Sequence, residues 1–311
     1  MRVSTSQVFR NGVESIQRSQ QDASRTQLQL GSGKRILSPA DDPSGAVKSL
    51  QLTGAVEKLE QYERNSLSLQ QRLRASETVV TSVVDGLQRV RELVVQGNNG
   101  SQTNETRTMI AGEIRQALDE LFQLANSRDA NGEYLFAGLS SWTEPFARVD
   151  EGAVQYLGDQ GQRAVQVSAV RTVALGDSGS RVFMEIPNGD GNPQALFETY
   201  ALIVNALETP VSDEASRGSL NDAMGRGLSD LDQALGHLLE VRTSLGARMT
   251  TVETQSRINE DQLLQVRTAL SDIQDLDYAE AISRFNLQQT ALQAAQQTFV
   301  QVQRLSLFNF M

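Results

Sequence analysis

Asp41 and Asp42 are the residues of this chain whose type and spacing come nearest to a chemical site. Two adjacent carboxylates could hold a divalent cation, but the residue after them argues for another role. Pro43 suits the first turn of a helix, where its missing N–H costs nothing, and an Asp just before it suits the N-cap. Asp42 and Pro43 are therefore expected to start a helix, and no metal is expected there. The only histidine, His237, sits between Leu235 and Leu238 and beside Leu239, the setting of a packed or boundary side chain. The chain has no cysteine, so His237 finds neither a second imidazole nor a thiolate to complete a zinc site. Gly31-Ser32-Gly33-Lys34-Arg35 has the residue types of a phosphate loop. It follows a helical pattern rather than a strand, however, and lacks that loop's spacing. Asp and Glu pairs are frequent on helix faces, where solvation accounts for them. No residue carries a catalytic role and no cofactor is implied, so the chain reads as a structural protein rather than an enzyme.

The elements that must carry these residues are mostly helices. From 44 to 97 apolar and small residues recur along one stripe: Leu52, Ala55, Leu59, Tyr62, Ser66, Leu69, Leu73, Ser76, Val80, Val83, Leu87, Val90 and Val94. Their alternating spacing of three and four is a heptad seam, and at 1.5 Å per residue it predicts a helix roughly 80 Å long. Such a seam cannot bury itself and needs a partner of similar length. One is available from 216 to 273, with a seam from Met224 through Leu228, Leu235, Leu238, Arg242 and Leu245 to Ile273. The two are expected to pair as an antiparallel rod. Asn104 to Arg128 should fold back on the first long helix, and 194–208 forms a further helix that Pro210 stops.

The two ends carry weaker seams. Phe9, Val13, Ile16, Gln20, Ala23, Gln27 and Leu30 mark the first, and Tyr278, Ala281, Phe285, Gln288, Leu292, Ala295, Phe299 and Val302 the second. Glutamine and alanine dilute both. Each arm alone buries too little to offset backbone ordering at about 1–2 kcal/mol per residue, so the arms are expected to order only on assembly. Phe9, Val13, Ile16 and Leu30 would then share a core with Phe285, Leu292, Phe299 and Val302.

Between the helices the period changes. Val154–Leu157, Val165–Val170 and Arg181–Ile186 read as strands, the first two joined by a hairpin turn at Gly158-Asp159-Gln160-Gly161. This predicts five segments: 1–43, an N-terminal arm and loop; 44–131, the long helix and its return; 132–193, a small β-rich domain; 194–275, a helix and the second long helix; and 276–311, the C-terminal arm. The fold class is mainly α with a small β insert, the arms nested outside the rods. The rod seams need only each other, so the β-rich insert is expected to be expendable for rod folding.

Aromatics make up 5% of the chain, with one Trp at Trp142, thin for a broad globular core and suited to narrow helical seams. The net charge of −10 argues against nucleic acid as a partner. No run of 18 apolar residues exists to span a membrane, and residues 1–20 hold no apolar core of a cleaved signal.

With both ends read, the chain resembles the flagellin-like axial proteins of the bacterial flagellum. The resemblance rests on Met1-Arg2-Val3-Ser4-Thr5, on Gly33-Lys34-Arg35-Ile36 followed by Ser38-Pro39-Ala40-Asp41-Asp42-Pro43, on Asn65 and Glu77, and on Leu87-Gln88-Arg89-Val90-Arg91-Glu92-Leu93. The tail from Asp277-Tyr278-Ala279-Glu280-Ala281 to Ser306-Leu307-Phe308 is also similar. Leu124 to Gly138, with Pro145-Phe146 and Gln155-Tyr156-Leu157-Gly158-Asp159, resembles the hook-associated protein 3 family, which joins hook to filament. That resemblance implies a coiled-coil axial protein exported by the flagellar type III apparatus and secreted to the hook-filament junction. It implies four partners: the other hook-associated junction protein, flagellin, further copies of itself in a helical or ring-like layer, and a cytoplasmic export chaperone on the C-terminal region. A flagellin-type filament subunit is the alternative, and a signalling rod of the chemoreceptor type a more distant one.

Overall fold

The computed structural model describes residues 5–149 and 153–308. Six α-helices dominate them: α1 (Thr5–Ser32), α2 (Pro43–Gly97), α3 (Asn104–Ala125), α4 (Leu196–Glu208), α5 (Glu214–Gln274) and α6 (Tyr278–Phe308). Between α3 and α4 lie six short strands and one π-helical turn. By packing the chain forms two units, residues 61–260 and residues 1–60 with 261–311.

The larger unit, 61–260, is built on α2 and α5. Glu63 accepts from the Ser256 hydroxyl at 2.7 Å, Arg74 pairs with Glu253 and Arg91 with Asp232. Residue numbers rise on one helix as they fall on the other, so the pair is antiparallel. Along α2 the seam Tyr62, Ser66, Leu69, Leu73, Ser76, Val80, Val83, Leu87, Val90 and Val94 is buried. Arg72, Val79, Val84 and Leu93 are buried beside it, which a two-helix seam would not achieve. The additional cover comes from further layers. Antiparallel to α2, α3 is tied by Arg89 and Glu113 at 2.7 Å, and α4 packs on α3. On α4, Leu196, Phe197, Tyr200, Ile203, Val204 and Leu207 are all buried. Burial pushes the Tyr200 hydroxyl far above its usual pKa, so it stays protonated.

On α5 the buried line departs from the expected seam. Gly227, Ala234 and Val241 take the positions assigned to Leu228, Leu235 and Arg242, and Arg242 is exposed. The smaller residues admit close neighbours: a Cβ at Gly227 would sit 2.7 Å from Ile203 of α4. The start of α5 is capped by Asp213, which accepts from the Ser216 N–H at 2.8 Å while the Ser216 hydroxyl lies 3.0 Å from the Asp213 N–H.

The strands form three antiparallel pairs: β1 (Phe146–Arg148) with β2 (Val154–Tyr156), β3 (Ala164–Gln166) with β4 (Thr172–Ala174), and β5 (Ile186–Pro187) with β6 (Pro193–Gln194). The expected hairpin between 154–157 and 165–170 does not form. Its supposed turn instead packs on the 136–138 segment, where Asp159 N–H donates to Ala137 O at 3.0 Å and Tyr156 Oη lies 3.0 Å from Phe136 O. Gly138 makes this possible: its φ is +67°, and a Cβ there would meet Asp159 O at 1.9 Å. The expected strand 181–186 is mostly the π-helical turn Ser180–Met184. Val182 and Phe183 are adjacent and both fully buried. A strand would send them to opposite faces.

The β-rich insert, expected to be a separable domain over 132–193, shares one core with the helices. Phe146 stacks against Phe183 at 5.7 Å and Phe197 of α4 at 5.4 Å, and Phe136 meets Phe183 at 5.2 Å. Arg72 of α2 reaches out of the helix to pair with Asp129 at 2.6 Å and to donate to Tyr134 O at 2.7 Å. The insert closes the helical core, which weighs against the expectation that it is expendable for rod folding.

Candidate functional site

The smaller unit has a different character. α1 and α6 pack on each other. Phe9 meets Phe299 with ring centroids 5.0 Å apart, and at the opposite end of α1 Gly33 lies against Tyr278. The two helices are therefore antiparallel. Phe285, Gln288, Leu292, Ala295 and Phe299 all lie on the inner, half-buried face of α6, and Ala281 is buried there. Val302 lies on α6, but its side chain is outside the described residues.

On α1 the inner face carries Val13, Ile16, Ala23 and Leu30. Ser19 and Thr26 lie there in place of Gln20 and Gln27, which are exposed. The polar groups of this face are partly satisfied within the helix and its loop. Thr26 donates to Asp22 O at 3.1 Å, and the Gln29 amide donates to Arg35 O at 2.7 Å. Gly12, not singled out from the sequence, lies flat under the Phe299 ring: a Cβ there would be 2.8 Å from Cδ2.

Where the arms leave the long helices, residues 33–42 and 272–278 interlock. Arg35 N–H donates to Gln274 O at 2.8 Å and Leu276 N–H to Gly33 O at 3.0 Å. The Arg35 guanidinium donates to Ile273 O at 2.8 Å and pairs with Asp42 at 3.3 Å. Gly33 has φ +70° and leaves no room for a side chain beside Tyr278 Oη. Asp42 Oδ1 accepts from Gly45 N–H at 2.9 Å, with Pro43 as the first residue of α2. That is an N-cap hydrogen bond. Asp41 accepts from Leu37 and Ser38 N–H groups at 3.0 and 2.9 Å and pairs with Arg25 of α1. The two adjacent acids thus hold backbone and arginine rather than a shared ion.

Both carboxyls are held below their usual range, Asp41 chiefly by the Ser38 N–H and Asp42 chiefly by the Gly45 N–H. A carboxylate with a depressed folded-state pKa stabilises above its unfolded value and loses that contribution as pH falls through the folded one. The interlock should therefore loosen below about pH 4. Protection of the Leu37 and Ser38 amides in hydrogen exchange checks this. It should drop between neutral pH and pH 3, and in Asp41→Asn it should already be low at neutral pH. Unchanged protection in both would contradict it.

The burial of this unit is sparse. Among the described residues its buried apolar side chains are Ala23, Ile36, Leu276 and Ala281. By contrast Leu50 and Leu287 are each 73% exposed and Leu264 67%, with Phe9, Val47 and Ile282 also exposed. Apart from Phe9, which is on the seam, these apolar residues could have been found in the sequence as heptad positions that a two-helix pair leaves bare. The unit holds eleven basic and eleven acidic side chains. The other holds seventeen basic and twenty-seven acidic, so the whole net charge of −10 falls on residues 61–260.

Among the described residues no catalytic or metal site competes with it. His237 Nε2 lies 2.9 Å from Arg181 O, a packing contact to the π-helical turn. Among the described residues no group of three His, Asp or Glu side chains is placed to hold a metal, and no helix is long and apolar enough to cross a membrane.

Comparison with known proteins matches the same two ends. Residues 3–141 match the bacterial flagellin N-terminal helical region and residues 228–311 the bacterial flagellin C-terminal helical region. The flagellar hook-associated protein 3 of Escherichia coli is 32% identical, with 99% of each chain covered. A flagellin of Bacillus subtilis is 28% identical over 88% of this chain and 86% of its own. The crystal structure of hook-associated protein 3 from Legionella pneumophila shares the fold with a TM-score of 0.69 and 22% identity, covering 72% of this chain and 98% of its own.

Proposed function

Because the chain belongs to the hook-associated protein 3 family, which carries the flagellin terminal helical regions, we propose that it joins the hook-side junction protein to the flagellin filament. The chain is a structural protein of the flagellar axis. One observation carries the finer reading. Residues 1–60 and 261–311 are neutral, bury few apolar side chains and expose many, whereas residues 61–260 have a full core and all the net negative charge. A neutral, apolar-faced unit can be packed among copies of itself and related chains without charge repulsion. An acidic, self-sufficient unit is suited to solvent.

On this reading the half-buried faces of Phe9, Val13, Ile16 and Leu30 and of Phe285, Leu292 and Phe299 are completed by neighbouring subunits. Those neighbours are further copies in one helical or ring-like layer, with the other junction protein on one side and flagellin on the other. Arms that order late remain open for type III export, and their exposed apolar faces call for a cytoplasmic chaperone on the C-terminal region.

The test is a strain lacking this gene. Electron microscopy should show hooks without filaments, with flagellin released to the medium. Filaments of normal length on those hooks would overturn the junction role. Identity to the Bacillus subtilis flagellin supports the alternative of a filament subunit. Counting copies per flagellum decides it: a layer of few copies for a junction, thousands for a filament.

A further inference from the structure

Val170 is 97% exposed, the most exposed large apolar side chain among the described residues. It stands at the tip of the hairpin between β3 and β4, and the hairpin is not loose. Val167 N–H donates to Arg171 O at 3.0 Å across the tip. Asn259 of α5 donates to Val167 O at 2.9 Å, and Asn65 of α2 donates to Gln166 O at 2.8 Å. Val167 is fully buried beneath the tip. Two asparagines on facing helices thus fix a hairpin that holds an apolar knob in water. Beside it Arg171 is exposed and makes no ion pair.

The same unit carries a cleft of about 450 Å³ between the 188–194 turn, α4 and α5. Leu202, 53% exposed, and buried Ile203 supply its apolar wall. Gly225 and Gly227 thin the α5 wall between Ala223, Arg226 and Ser229. Asp190 and Asp230 lie at the cleft against one Arg226. Asp230 is held by the Gly189 N–H at 2.8 Å, while among the described residues the Asp190 carboxylate has no ion-pair or hydrogen-bond partner. The cleft thus has an apolar patch at Leu202, Ile203 and Ala223 within a polar lining and is acidic by one charge, and the hairpin tip carries the apolar Val170 beside one positive charge.

We propose that the Val170–Arg171 hairpin tip of one copy seats in the 188–230 cleft of a second copy. The proposal rests on the self-assembling layer described above. The tip sits at the level of Asn259 on α5 and the cleft near Gly227, about 50 Å apart at 1.5 Å per residue. The two cannot meet within one chain. A contact between different patches is heterologous, which builds rings or open helical arrays rather than closed two-fold dimers. The acidic charge of this unit opposes its own association, so one directed Arg-to-Asp contact has to set the register.

The cysteine-free chain provides the test. Val170→Cys with Leu202→Cys, expressed as two separately tagged copies in cells building flagella, should give a crosslinked pair under mild oxidation, and neither variant alone should. Arg171→Asp and Asp190→Arg should each lower the amount incorporated by at least tenfold, and the two combined in one chain should restore it. Normal incorporation with no crosslink and no effect of either charge change would overturn the hairpin contact and leave the junction reading standing. Loss of incorporation by the unmodified protein in the same strain would count against the junction reading itself.

Discussion

Phe299→Asp is expected to leave the melting transition of the free protein in place and to abolish its incorporation into flagella. In the structure Phe299 is half-buried, resting on Phe9 and the bare backbone of Gly12. Its unit has few buried apolar side chains to lose. The cooperative transition belongs to residues 61–260, which Phe299 does not belong to. In the proposed layer the same position would become a desolvated core. An unpaired carboxylate there costs several kcal/mol, and at 1.4 kcal/mol per factor of ten incorporation falls by about a hundredfold or more. Phe299→Leu, apolar and somewhat smaller, should assemble. Circular dichroism melting of purified protein and immunogold labelling of flagella measure the two halves. A variant that melts early, or one that incorporates normally, contradicts the division of labour between the units.

The opposite result is expected from Phe183→Ala. Phe183 is fully buried on the π-helical turn and touches the rings of Phe136, Phe146 and Phe197. Truncating a buried Phe costs about 3–5 kcal/mol, a large share of a domain's stability. The cost falls on the whole 61–260 unit, because that aromatic cluster is continuous with the seam of α2 and α5. Replacing residues 140–190 with a short linker should have a still larger effect and reduce helix well beyond the residues removed. Urea denaturation followed at 222 nm measures both. If the linker variant keeps the helix content of α2, α3 and α5, the shared core is not needed and the insert is separable after all.

Periodicity alone located the helices. Both ends of α2, α4 and α5 and the start of α6 fall within two residues of where seams, Pro43, Pro210 and Asp277 place them. The α6 face from Ala281 to Phe299 was legible because an unbroken three–four spacing runs along it, although Ile282, Leu287 and Val300 stand beside it. On α5 two candidates stood side by side at 227/228, 234/235 and 241/242; apolar bulk favoured Leu228 and Leu235, and the heptad register carried the reading on to Arg242. Packing chose Gly227 and Ala234 because α4 approaches closely there, a fact about a neighbour that no helical period contains. The insert was least legible. Short apolar runs around Val182 and Val165 do not distinguish strand from turn. The decisive contacts, Gly138 with Asp159 and Phe183 with Phe197, are set by tertiary placement. The same holds for the candidate site. Asp42 and Pro43 were readable as a helix start, whereas Arg25, Arg35 and Gln29 act through partners that local sequence does not reveal.

The central claim is that residues 61–260 fold by themselves while the terminal helices become fully ordered only among neighbours. Hydrogen exchange on the free protein, compared with the same protein in isolated hook-filament junctions, tests it most directly. In the free protein amides along α1 and α6 should exchange orders of magnitude faster than those around Leu87 and Leu238, and in the junction all should be slow. Arms in the free protein as protected as Leu87 and Leu238 would show that they are already folded, and the coupling of their order to assembly would be wrong.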